Sequence, residues 1–302
     1  MACRLRYYFS LLWTGIFLSL SLSYSAWGAE KLQVSVSIIP QKYFVRKIGA
    51  DLVDVNVMVL PGASPATYEP KPKQMALLTE SKIYFAIGVP FEKVWLERFA
   101  AVHPRMVIVH SEEGIEKMPM KADHRHEEAD QHKGDGHAHG IRDPHIWLSP
   151  PLVKIVARNI LHALLKTDPL HRVFFEANYR AFCAEIDGLD EELKEIFSGR
   201  GPGIDFMVYH PAWGYFARAY GLNQIPIEME GKEPKPRALK NIIGQARDKG
   251  VKVIFVQPQF SGKSARTIAR AMGGRVIVAD PLAPDWAENL RKVAEAFRSA
   301  LK

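Results

Sequence analysis

Five of the eleven histidines in this 302-residue chain fall in one seventeen-residue stretch. They are His124, His126, His132, His137 and His139, interleaved with acidic and glycine residues up to Gly140. Imidazole is the commonest side-chain metal ligand and suits zinc, copper and nickel. The stretch has almost no apolar side chains to bury, so residues 123–140 are expected to be a solvated surface loop that captures metal weakly at several points. Three other residues stand where chemistry is expected in an α/β chain. His210 ends the apolar run 206–209 and precedes Pro211, and Asp280 ends the run 276–279. His145 lies in Asp143-Pro144-His145, directly before Ile146-Trp147-Leu148. Two imidazoles and a carboxylate drawn from both halves of the chain suit a transition-metal ion in a cleft, whereas calcium and magnesium take all-oxygen shells. Each residue also has a plainer use: a strand-end histidine can cap a helix, and an aspartate before Pro281 is a common turn residue.

The elements that would position these groups alternate along the chain. Strand-like runs at 32–38, 53–59, 83–88 and 106–109 are separated by helical stretches, and the pattern resumes at 205–209, 224–227, 251–256 and 275–279. Ile146-Trp147-Leu148 reads as one more short strand. Between the two sets, residues 169–197 place Phe174, Phe175, Asn178, Phe182, Ile186, Leu189, Leu193 and Phe197 at three- and four-residue steps, the period of a helix face. The glycine- and proline-rich stretch 198–203 stops it. The expected fold is therefore α/β: two lobes with mostly parallel sheets, joined by one long connector helix, with the metal cleft between the lobes. The expected boundaries are 1–28 for a leader, 29–168 for the first lobe, 169–198 for the connector and 199–302 for the second lobe.

The leader carries Arg4 and Arg6, an apolar run at 7–22, and small residues at Ala26 and Gly28. That is the pattern of a secretory signal peptide cleaved near Gly28. Cys3 leaves with it, and Cys183 alone cannot form an intramolecular disulfide. The formal net charge of +7 falls by two when Arg4 and Arg6 are removed, and the remaining charges are interspersed, which argues against nucleic acid as a partner. No His-Glu-x-x-His helix and no nucleophile elbow occurs, so an enzyme is not expected. Two alternatives stay open. One is an exported metallohydrolase or two-histidine-one-carboxylate iron enzyme, which would use an open coordination position. The other is a zinc chaperone or adhesin on the same fold.

Together the motifs resemble those of the metal-specific periplasmic binding proteins of ABC importers, and among them the ZnuA-like zinc-uptake group. The matching segments are Val59-Leu60-Pro61-Gly62-Ala63-Ser64-Pro65-Ala66-Thr67-Tyr68-Glu69-Pro70, Asp143-Pro144-His145-Ile146-Trp147-Leu148-Ser149, His210-Pro211-Ala212-Trp213-Gly214-Tyr215-Phe216, Gly231-Lys232-Glu233-Pro234 and Asp280-Pro281-Leu282. The resemblance implies a periplasmic, monomeric carrier that binds Zn2+, with Mn2+ less expected, and delivers it to an inner-membrane permease. It implies a cleft ion held by three histidines plus a carboxylate or water, with His145 second, His210 third and Asp280 as the carboxylate. The first family histidine falls at Ala66, which has no donor atom. Glu69, less readily Tyr68, a histidine of the 123–140 loop, or water would have to fill that place. It also implies release through small lobe or loop shifts, because a long helix is a stiff hinge.

Overall fold

Short runs of alternating hydrophobicity, set between helix-period stretches, build the same plan twice. The computed structural model describes residues 30–120, 142–199, 203–228, 232–260 and 262–300; the leader and the histidine-rich stretch lie outside them. In the first lobe β1 (Leu32–Val36), β2 (Val53–Val57), β3 (Ile83–Ala86) and β4 (Val107–His110) form a parallel sheet in the order β2-β1-β3-β4. In the second, β5 (Ile204–Val208), β6 (Leu222–Pro226), β7 (Val253–Val256) and β8 (Arg275–Val278) repeat it as β6-β5-β7-β8, again all parallel. The inner strands β3 and β7 are buried at every position, as expected for parallel strands covered on both faces. Pro226 is tolerated because β6 is an edge strand.

The first lobe carries α1 (Ile39–Gly49), α2 (Pro72–Leu78), α3 (Glu92–Val102) and α4 (Pro150–Thr167). The long helix α5 (Arg172–Phe197) follows, then α6 (Gly214–Ala219), α7 (Pro236–Asp248), α8 (Lys263–Ala271) and α9 (Trp286–Ala300). Phe175, Phe182, Ile186, Leu189, Leu193 and Phe197 of α5 are buried, and Asn178 shares their stripe by donating to the Ile48 carbonyl at 3.0 Å. Two expectations need correction. Phe174 is exposed, because adjacent residues on a helix cannot both face the core and Phe175 takes the place. Ile146–Leu148 is a 3-10 turn rather than a strand. Pro144 and Pro150 bracket it, and so short an apolar run reads the same in either state. A second 3-10 turn, Pro169–His171, precedes α5, which therefore starts three residues later than the spacing suggested.

The lobes are not separate bodies around separate cores. One buried cluster runs from Val34 and Phe85 of the first sheet, through Phe182 and Leu193 of α5, to Phe206, Phe255 and Phe297 of the second lobe. A smaller cluster, with Met207, Ile254 and Ile268, covers the outer face of the second sheet. Polar ties run along α5 as well. Tyr43 and Lys47 of α1 both reach Glu185 at 2.5 Å, while Tyr220 reaches Asp190 at 2.9 Å and Arg291 of α9 reaches Glu192 at 2.5 Å. The exposed Arg291–Glu192 pair adds little, so the shared apolar core is what fixes the lobes. Among the described residues no helix is long and apolar enough to cross a membrane.

At the carboxyl edge of the first sheet, the buried Glu92 carboxyl accepts from the Ser37 hydroxyl at 2.5 Å, the Ile87 amide at 3.0 Å and the Gly88 amide at 2.8 Å. Burial outweighs these bonds and pushes its pKa up from 4.5 to about 7. A folded-state pKa above the unfolded value means stability that is complete below pH 4.5 and is lost as pH rises through 7. The shift corresponds to about 3 kcal/mol. Denaturant titrations of the metal-free protein between pH 4.5 and 8 should show this loss, and Glu92→Gln should flatten that part of the profile; superimposable pH profiles would show that Glu92 does not titrate in this range.

Candidate metal site

In an open parallel sheet, ligands bind beyond the carboxyl ends of the strands where the strand order reverses. In the second lobe that point lies between β5 and β7. His210 follows β5, Gln257 to Phe260 follow β7, Glu228 follows β6, and Asp280 follows β8. His145 arrives from the first half of the chain, on the turn before α4. The structure brings the two imidazoles face to edge, with ring centroids 5.2 Å apart and planes at 71°.

Both rings are held the same way. Asp143 accepts from the His145 backbone amide at 2.9 Å and pairs with His145 Nδ1 at 2.7 Å, so one carboxylate fixes both the turn and the ring. His210 Nδ1 meets Glu228 Oε1 at 2.5 Å. Phe260 stacks on the His210 ring at 4.8 Å. The Gln257 side chain accepts from the His210 amide at 3.2 Å and donates to its carbonyl at 2.6 Å. With Nδ1–H donated to a carboxylate, the lone pair of each neutral ring sits on Nε2. A carboxylate behind an imidazole is the arrangement that orients histidines toward a metal ion and raises their basicity as ligands. Burial lowers the His210 pKa below 6.5, opposed by its hydrogen bond to Glu228. The ring therefore stays in the neutral, metal-binding form to lower pH than an exposed histidine.

The spacing can be tested against an ion. With Zn–N near 2.0–2.1 Å and a ring centre about 1.1 Å behind the nitrogen, two imidazoles on one tetrahedral ion have centroids about 5 Å apart. The observed separation fits. Asp280 Oδ1 accepts from the Gln259 amide and from the Leu282 backbone, each at 2.9 Å, which leaves Oδ2 without a partner among the described residues. The Gln259 carbonyl oxygen is buried and has no hydrogen-bond partner among the described residues. Among the described residues no group of three or more His, Cys, Asp or Glu side chains is drawn up closely enough to hold one ion. The structure thus assembles the imidazole pair, without a third such donor already in place.

Ala66 and Glu69 are both exposed on the loop after β2. That loop is anchored by Tyr68, which donates to Gln74 at 2.6 Å and packs on Phe91, and by Ser64, which accepts from the Ala66 amide. Glu69 takes no part in the anchoring. His124, His126, His132, His137 and His139 lie outside the described residues, but the flanks of their segment are ordered against the site: Pro119 and Arg142 form an antiparallel bridge. Sequence reading overlooked Asp143 and Glu228 as orienting groups. Glu228 was open to the same strand-end argument that selected His210, since it closely follows β6. Gly214 has a steric reason to be glycine: a Cβ there would lie 2.9 Å from Asp143 Oδ2.

The description "zinc-uptake complex component A, periplasmic" (ZnuA) matches residues 34–300 as a family model. The high-affinity zinc uptake system protein ZnuA of Bacillus subtilis is 30% identical over 257 residues, which cover 84% of this chain and 79% of that protein. A zinc-bound deletion mutant of ZnuA is 42% identical, with a TM-score of 0.81 over 90% of this chain and 99% of that one. A manganese-bound mutant of a periplasmic metal-binding protein from Candidatus Liberibacter asiaticus shares the fold at 21% identity, with a TM-score of 0.74 over 90% of this chain and 100% of that one.

If the two carboxylates orient the rings, Asp143→Ala and Glu228→Ala should each weaken Zn2+ binding about 10- to 100-fold while His145 and His210 remain. Chelator competition on the purified metal-free protein measures this, and wild-type affinity in both variants would leave the carboxylates without that role.

Proposed function

Because this chain belongs to the ZnuA family of periplasmic zinc-uptake components, we propose that it captures Zn2+ outside the inner membrane and hands it to an ABC permease. The observation that carries this reading is the pair of imidazoles at 145 (buried) and 210 (part-buried), each backed by a buried carboxylate and spaced for one tetrahedral ion. His145 and His210 supply Nε2. Asp280 offers Oδ2 once its loop settles on the ion, and Glu69 or water takes the place opposite Ala66. The histidines of the 123–140 stretch act as auxiliary, weaker donors that raise the local metal concentration. The cation is cargo, so no bond of it need be activated and no enzyme chemistry follows. Residues 1–28 direct export and are removed.

Zinc is favoured over manganese by nitrogen donors, and manganese would gain from each oxygen donor that replaces a histidine. Release follows from loss of a few contacts rather than from wide lobe opening, because both lobes share one core.

Titration of the mature protein should give one tight Zn2+ per chain, held at least tenfold more tightly than Mn2+, and His210→Ala should abolish it. Tighter binding of Mn2+ would transfer the function to manganese uptake. Ala66→His supplies the donor that the family places there, and should tighten Zn2+ binding about tenfold or more in the same chelator assay; no change would mean that another group already fills that position.

A further inference from the structure

The segment that carries His145 belongs by chain position to the first lobe, yet several of its buried polar ties run to the second. Two residues before His145, the Asp143 carbonyl accepts from the Tyr215 hydroxyl at 3.0 Å, and the same hydroxyl accepts from the Met118 amide at 2.9 Å. Tyr215 lies on α6, five residues beyond His210. Two residues after His145, the Trp147 indole N–H donates to the Pro281 carbonyl at 2.7 Å, beside Asp280. The Trp286 indole N–H, at the start of α9, donates in turn to the Trp147 carbonyl at 2.6 Å. Trp147 and Trp286 are 1% exposed and Tyr215 is 3% exposed, so water does not compete for these bonds. Removing a buried donor while its acceptor stays buried costs more than the bond itself contributes.

We propose that Tyr215, Trp147 and Trp286 are positioning residues for metal retention: they clamp both ends of the His145 segment to the second lobe and so hold its imidazole beside that of His210 when no ion is bound. This rests on the proposed capture of Zn2+ at the imidazole pair and adds where its rigidity comes from. A pre-positioned pair pays less ordering entropy on binding and lets go more slowly. None of the three touches the ion. The clamp also couples the ordered flanks of the histidine-rich segment to the pair, since Met118 and Asp143 meet on one hydroxyl and the Asp143 amide donates to the Met118 carbonyl at 2.8 Å.

The test is the rate of Zn2+ loss to excess chelator, by stopped flow, for the full mature protein and for Tyr215→Phe, Trp147→Phe and Trp286→Phe. Trp95→Phe, on α3, is the control for tryptophan replacement as such. Each clamp variant is expected to release Zn2+ at least tenfold faster than Trp95→Phe. Tyr215→Phe removes one oxygen and keeps the ring, so it decides the matter if a tryptophan variant fails to fold. A role in stability alone would lower the unfolding temperature of the metal-free protein and leave the release rate at the control value; that result overturns the clamp. Failure of the wild-type protein to bind Zn2+ at all would overturn both the capture reading and the clamp, whereas normal binding with unaltered release in all three variants would overturn the clamp only.

Discussion

Burying two imidazoles side by side is the constraint around which this structure is arranged. Each ring must lose most of its water and still satisfy its Nδ1–H, or the cost of desolvation would expel it. Asp143 and Glu228 meet that requirement, each with its own side chain only 4% exposed. Their presence creates a second demand. As carboxylates they place negative charge in a poorly hydrated cleft, where the two neutral rings cannot offset it. In the proposed function a divalent cation between the rings would offset that charge through the imidazoles. On the proposed reading the folded chain gains stability when it binds the cation, as any protein does with a ligand that only its folded state holds.

The scaffold limits how that cargo can leave. A hinge needs two bodies with separable cores, and here one apolar cluster spans both sheets and α5. Opening the lobes would expose Phe182, Leu193 and Phe297, which are almost fully buried. At about 1.5–3 kcal/mol for each large side chain uncovered, wide opening costs more than a metal–ligand contact or two. The compliant parts are the connections at the carboxyl edges of the strands. Among them the loop after β2 is exposed at Ala66 and Glu69, and it is tied down by Tyr68 and by the Phe91 amide, which donates to the Pro65 carbonyl at 3.2 Å.

Much of this was legible in the residues, and the exceptions have physical causes. Repetition of short apolar runs and helix-period stretches gave both sheets, their parallel sense and the central helix. Position at a strand end selected His210 and Asp280, and would have selected Glu228 had the test been applied to every strand. His145 was singled out before a supposed strand, because three apolar residues between prolines look alike in a strand and in a 3-10 turn. The tie from Trp147 to Pro281 spans 134 positions and exists only because the lobes meet, so no local pattern announces it. The same holds for the approach of Asp143 to Gly214.

Ala66 is the place where family resemblance and local chemistry part. A third nitrogen would add affinity but also slow release, and on a stiff scaffold no large motion exists to recover the rate. Replacing that donor by water or by the exposed carboxylate of Glu69 moves the balance the other way. On the proposed reading the imidazole pair, backed by buried carboxylates, selects a nitrogen-seeking ion, while the weaker position on an exposed edge loop governs how readily the ion departs. That reading assigns selection and release to different parts of the site: the first to side chains locked between the lobes, the second to a loop that solvent already reaches.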